Sequence, residues 1–244
     1  MMISALVKKE FNSFLSQPVG YLLIFSFLLI LGLFLWIFPN PYNIFQAEYA
    51  NLQSFFTLTA WVLTFLIPAI AMRSFADEKK QGTLELLLTQ PISVNQLVMS
   101  KFAGLFLVSL VAILPTLIYL ISLYQLAANP TNIDINAIIA SYLGLLFLIS
   151  VNISICLFTS SLSENQLIAF ISGAAGCLLF YYGFNGLMDL FSADILVDFF
   201  KFMSVKEHFN SISRGVIDSR DVVFFLSLTF LFIKLTTFKI NRHA

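Results

Sequence analysis

Charge is scarce in this sequence and neither sign prevails: 13 lysines and arginines stand against 13 aspartates and glutamates, a formal net charge of zero. With no basic stripe to meet phosphates, nucleic acid is excluded as an electrostatic partner. Charged residues make up 11% of the 244 and hydrophobic ones 59%, whereas charge is roughly a quarter of a soluble domain. An ordinary water-soluble domain is therefore excluded too. Cysteine is nearly missing. Cys156 and Cys177 both fall inside apolar runs and read as small membrane-core residues, not as a disulfide or metal site. The only histidines, His208 and His243, have no cysteine or carboxylate at ligand spacing, so no metal is expected. No glycine is followed by lysine. The phosphate-cradling Gly-x-x-x-x-Gly-Lys-Ser/Thr loop is absent, and the chain cannot be its own P-loop ATPase. The apolar runs offer no embedded acid or histidine and no close Ser–His pair, so neither catalysis nor a cofactor of its own is expected.

What the chain has in quantity is long uncharged hydrophobic sequence, rich in its 28 phenylalanines. Residues 19–38 carry no charge and match the roughly 20 residues that cross a hydrocarbon core. Further such runs are 55–72 with Pro68 near its end, 102–124 with Pro115, 137–159 and 166–182. In 222–238 only Lys234 interrupts, and a lysine near a helix end can snorkel. These spans predict an all-α integral membrane protein with six transmembrane helices, its prolines reading as kinks that neighbouring helices satisfy. Ahead of the first span, 3–16 sets Ile3, Leu6, Val7, Phe11, Phe14 and Leu15 at helical spacing against Lys8, Lys9, Glu10 and Asn12. Such a helix suits the membrane interface, with its lysines toward lipid headgroups. A signal peptide is not expected, because a full-length span follows with no small-residue cleavage site behind it.

The one long polar interruption, 73–101, holds Arg73, Asp77, Glu78, Lys79, Lys80, Glu85 and Lys101 between two apolar runs. Its centre predicts a short helix over 83–89. Gly82 permits a turn, Thr83 can cap the free amides, and Glu85 sits where the helix dipole favours an acid. Pro91 ends that helix by turning Gln90 away from helical angles. Ser93 with Gln96 has the capping-box spacing that opens the next one. About seven residues cannot sustain a helix alone in water, and Leu84, Leu86, Leu87 and Leu88 carry more apolar surface than a solvated loop should show. The helix either packs under its own membrane domain or presents leucines to a separate protein.

From Glu78 to Ser93 the chain reads Glu-Lys-Lys-Gln-Gly-Thr-Leu-Glu-Leu-Leu-Leu-Thr-Gln-Pro-Ile-Ser. This resembles the cytoplasmic loop of ABC-2-type transporter permeases, between their second and third membrane helices. The resemblance extends over essentially the whole chain. From His208 to Asp218 the wording His-Phe-Asn-Ser-Ile-Ser-Arg-Gly-Val-Ile-Asp is most similar to the gliding-motility-associated permeases (the F subunit). The resemblance implies that Glu78, Gly82, Thr83, Leu84, Leu86, Leu87 and Pro91 belong to a coupling element seated on a separate ATP-binding subunit, which holds the ATP. It also implies an elbow helix at 3–16, a second permease subunit, identical or different, and the bacterial cytoplasmic (inner) membrane. Permeases of metalloenzyme maturation have a similar loop.

Two other stretches carry expectations. The connection 183–221 has Lys201, Lys206, Arg214 and Arg220, yet also Ile195, Leu196, Phe199, Phe202 and Met203 at helical spacing. Short helices on or in the outer leaflet suit it better than a solvated loop, and Asp218 with Asp221 is expected to cap the last span. In the fifth span, Ser172, Gly173 and Gly176 form a small-residue patch that packs within the subunit or against a second copy. Ion-coupled carriers place ionisable groups near mid-membrane. The first five spans have none, so energy delivered from outside the membrane fits better than secondary transport. A passive anchor or scaffold is the third reading.

Basic residues are absent from 39–54 and 125–136 but present at Lys8, Lys9, the central polar stretch, Lys234, Lys239 and Arg242. The positive-inside rule then puts both termini and 73–101 in the cytoplasm. Reporters fused after Ala244 should signal cytoplasm, and reporters at Ala47 or Asn132 the outside. A cytoplasmic signal at Asn132 would overturn this topology.

Overall fold

In hydrocarbon an uncharged run has no hydrogen-bond partner for its backbone but itself, and each such run in this chain is helical. The computed structural model describes residues 2–46, 52–89, 92–126, 133–188 and 194–242, and among them there is no strand. The order is α1 (Met2–Leu15), α2 (Pro18–Gly32), α3 (Gln53–Ala71), α4 (Arg73–Lys80), α5 (Thr83–Leu88), α6 (Val94–Ile113) and α7 (Leu117–Leu126). Then follow α8 (Ile135–Leu162), α9 (Gln166–Leu178), α10 (Phe184–Met188), α11 (Asp194–Met203), α12 (Val205–Ser213) and α13 (Ser219–Asn241).

Among the described residues six helical stretches are long and apolar enough to cross a membrane: Pro18–Ile37, Gln53–Lys80, Val94–Leu126, Ile135–Leu162, Gln166–Met188 and Ser219–Asn241. The all-α integral membrane architecture read from the sequence is the one observed. The helices overrun the apolar runs at several ends, because a helix need not stop where hydrophobicity does. Pro115 tightens α6 into a 3-10 turn, Leu114–Thr116, before α7 resumes, whereas Pro68 sits inside an unbroken α3. The connection expected at 183–221 is largely helical: α9 runs on through a π-helical turn, Leu179–Gly183, into α10, and α11 and α12 follow. Phe199 and Phe202 of α11 are exposed, while Val205, Phe209 and Ile212 turn α12 into the core. The side chains of Ile195 and Leu196 lie outside the described residues.

The longest helix, α8, is the hub, packing against α3, α4, α6, α9, α12 and α13. It can take neighbours all round because it carries no charge and its buried polar residues are small. Apart from that of Ser160, their hydroxyls turn back on the helix itself: Ser141 Oγ donates to Ala137 O at 2.7 Å, and Ser154 Oγ to Val151 O at 2.7 Å. Burial therefore leaves those donors satisfied. α9 fits against α8 through the small-residue patch. A Cβ on Gly173 would lie 3.2 Å from Thr159 Oγ1, and one on Gly176 would lie 2.9 Å from Ile155 Cγ2. Ser172 is half-buried, its hydroxyl returned to Ile168 O at 2.7 Å. The two cysteines meet in the same seam as free, buried thiols with sulfurs 3.7 Å apart. By contrast α2 and α7 leave Tyr21, Leu22, Phe25, Ile118 and Ile121 exposed, a surface that suits acyl chains.

Candidate functional site

The polar stretch 73–101 differs from its expected form at once. Its first third is a helix and not a loop: α4 continues α3 through Met72, whose φ of −54° and ψ of −31° are helical. The slight break between them frees backbone groups inside the protein, where an unpaired amide is costly. Ser160 of α8 takes up the break. Its hydroxyl accepts from Phe75 N at 3.1 Å and Ala76 N at 3.2 Å, and donates to Met72 O at 3.1 Å. Charged ends then fasten α4 sideways. Arg73 Nη1 donates to Gln17 Oε1 at 2.6 Å, Lys79 Nζ donates to Ser161 O, and the Gln166 amide donates to Asp77.

At the centre is Lys101 of α6, which is 1% exposed. Its ammonium donates to Glu10 Oε1 of α1 at 3.0 Å and to Glu78 Oε1 of α4 at 2.7 Å, with the Phe75 ring centroid 5.1 Å away. One turn further along α6, Gly104 lets α1 approach, since a Cβ there would stand 2.7 Å from Glu10 Cβ. A single buried ammonium thus joins three helices. Sequence reasoning counted Lys101 as one more basic loop residue. The available signal was its place in the first turns of the helical pattern that runs unbroken into the third span.

α5 hangs from this junction. Gly82 takes the left-handed conformation with φ of +67°, which glycine adopts without a steric penalty. Thr83 does not cap α5: its hydroxyl instead donates to Glu78 O at 3.3 Å, locking the turn to α4. Glu85 lies in the first turn, as expected. The leucines divide by side. Leu84 is buried at 4% exposure, Leu87 and Leu88 are half-buried, and Leu86 is 66% exposed. The next helix opens on the capping box read from the sequence, with Ser93 Oγ accepting from Gln96 N at 3.3 Å and Gln96 Oε1 accepting from Ser93 N at 3.2 Å. Pro91 lies outside the described residues.

Between α1, α3, α4, α5 and α6 is a cavity of about 500 Å³, lined among others by Lys9, Arg73, Glu78, Leu86, Leu87 and Leu105. The base of α5 is thus tied to Glu78 through Thr83, and Glu78 to α6 and α1 through Lys101. A family model for ABC-2 family transporter proteins matches residues 4–213. The chain belongs to that family. No curated protein matches it. As an ABC-2 family member this chain is a transmembrane permease subunit of an ABC transporter, and the family implies an ATP-binding partner subunit.

The opposite end of this ABC-2 permease holds the second feature that sequence reasoning missed. Asp218 caps α13, accepting from Arg220 N at 2.9 Å, but Asp221 does not share that role. It is buried and its Oδ1 lies 2.6 Å from His208 Nδ1 of α12. The sequence places no cysteine or carboxylate at metal-ligand spacing from His208; it is the turn between α12 and α13 that brings Asp221, 13 residues on, to its ring. Among the described residues no group of three or more His, Cys, Asp or Glu is placed to hold a metal.

Lys101→Met should be strongly destabilising, because it leaves Glu10 and Glu78 facing an apolar neighbour; breaking a buried ion pair costs about 3–5 kcal/mol. Glu10→Gln and Glu78→Gln added to Lys101→Met should recover most of that loss. Denaturant unfolding in detergent is the measurement, and equal stability of wild type and the single variant would show that the junction is not structural.

Proposed function

We propose that this chain is the permease of an ATP-driven exporter and that α5, with Glu78 and Gly82 behind it, receives motion from the ATP-binding subunit. The carrying observation is Leu86: a large side chain left 66% exposed on a six-residue helix whose base is locked to a buried ion triad. Leu84 already serves the chain's own core, so Leu86, flanked by the half-buried Leu87, is the residue left for a partner. The assembly contains two permeases, identical or different, and two ATP-binding subunits. Nucleotide-driven closure of the ATPase pair displaces α5, and the second and third spans carry the displacement inward.

The distribution of basic residues supports the bacterial inner membrane with both termini cytoplasmic, which makes α1 the cytoplasmic elbow helix. The wording of 208–218 supports a place in gliding motility, with metalloenzyme maturation as the alternative setting. The charge-free runs 19–38, 55–72, 102–124, 137–159 and 166–182 suit a lipid-like or polymeric substrate, or force passed to a partner, and disfavour ion-coupled transport. A scaffold would also dock a partner on α5, but would not stimulate ATP hydrolysis.

Burying a leucine is worth roughly 1.5–3 kcal/mol. Leu86→Asp should therefore weaken co-purification of the ATP-binding subunit by about tenfold or more and abolish its stimulation, with membrane insertion intact. Val216→Asp, exposed at the opposite end, should do neither. A Leu86→Asp variant that retains and stimulates the ATPase like wild type would overturn this assignment of α5.

A further inference from the structure

His208 lies 8% exposed between α11, α12 and the head of α13. Both of its ring nitrogens face oxygen: Nδ1 is 2.6 Å from Asp221 Oδ1, and Nε2 is 2.9 Å from the backbone oxygen of Phe202. A backbone carbonyl can only accept, and so can a carboxylate, while neutral imidazole has one N–H to give. Two such contacts need two N–H groups. The Phe224 ring stacks on the imidazole at 4.0 Å between centroids with 20° between planes, and the face of an aromatic ring attracts a cation.

We propose that His208 is held as an imidazolium and acts as a proton-dependent clasp, tying the corner between α11 and α12 to the start of the sixth span. With the proton in place, Nδ1–H donates to Asp221 of α13 and Nε2–H donates to Phe202 O at the end of α11, so one ring bridges two elements. Loss of that proton to water leaves a single N–H. It stays on Nδ1, where the carboxylate is the stronger acceptor, and Nε2 then presents a lone pair to the Phe202 carbonyl. The repulsion frees the corner at 202–204, whose remaining ties include Ser204 with Asn185. Other charged groups line the adjoining cavity: Asp198 and Lys201 from α11, Glu207 from α12, Arg214 and Asp218 from the turn that follows it, and Arg220 from α13. Lys206 of α12 is turned away, over the Tyr182 ring. α8 and the turn Leu179–Gly183, which also pack on α12, carry no Asp, Glu, Lys, Arg or His. Only Asp221 therefore makes an ion pair with His208 among the described residues. The clasp does not depend on the coupling role of α5. If the topology argued above holds, it lies outside the cytoplasm and senses external pH.

The test uses the full chain in lipid nanodiscs, labelled with ¹⁵N-histidine. With only two histidines in the sequence, His243→Gln assigns both signals. Below the pH at which His208 loses its proton, both of its nitrogens should be protonated. As that proton is titrated away, hydrogen-exchange protection factors at 202–205 should fall about tenfold, the scale of one charge-assisted hydrogen bond. In His208→Gln that pH dependence should vanish, and Asp221→Asn should give a neutral His208 with the corner already loosened. A His208 with a bare Nδ1 or Nε2 at mildly acidic pH would overturn the proposal. So would protection at 202–205 that ignores the titration seen in the wild-type ¹⁵N spectrum, a result that needs no variant to fold.

Discussion

Everything at the α5 end of this protein follows from having to place one ammonium where water cannot reach it. Lys101 sits in the first turns of the third span at 1% exposure, and a buried charge is tolerated only when paired and hydrogen-bonded. The pairing comes from two directions. Glu10 has to arrive on α1, which draws that helix tight against α6 over Gly104, and Glu78 has to arrive on α4, which requires the second span to stay helical well past its apolar run. Attraction alone would not make this favourable, since desolvation opposes it. Its consequence is geometric: α1, α4 and α6 cannot part without exposing unpaired charge to an apolar surround.

The hub α8 supplies the other half of the joint. Ser160 and Ser161, at its end, hold α4 by backbone and by the Lys79 ammonium, while the opposite end of α8 packs against α12, beneath the His208 corner. One uninterrupted 28-residue helix thus connects α4, from which α5 hangs, with the place where α11 and α12 meet the sixth span. Rigid transmission needs this kind of part, because packed helices shift as bodies and do not deform continuously. α5 is the piece outside this framework: short, fixed at its base by the Thr83–Glu78 contact and the buried Leu84, and apolar at its exposed Leu86.

Much of this was legible before the structure. The six spans follow from length and the absence of charge, and the capping box at Ser93 and the place of Glu85 follow from local rules that involve only neighbours in sequence. What was not legible is long-range. Lys101 finds partners 91 and 23 residues away, and the Asp221–His208 pair closes across a turn, so no local pattern announces either. α4 was hidden because charged residues after an apolar run resemble a loop when only hydropathy is read. Thr83 has the chemistry of a cap but is used otherwise, since the left-handed Gly82 turn points its hydroxyl back at Glu78 O. The division of the leucines into core and free also waits on the packing, because spacing shows that two faces exist but not which of them is covered.

The account stands on α1, α4, α5 and α6 moving as one body. The most direct measurement is the spin–spin distance between labels at Lys8 and Glu85, both exposed, in the assembled complex with its ATP-binding subunit and in a background lacking Cys156 and Cys177. The account predicts a single narrow distance that does not change between nucleotide-free and ATP-trapped states, and that broadens in Lys101→Met. A Lys8–Glu85 distance that shifts with nucleotide in the otherwise wild-type protein would mean that α5 swings free of the ion triad, and would contradict the account.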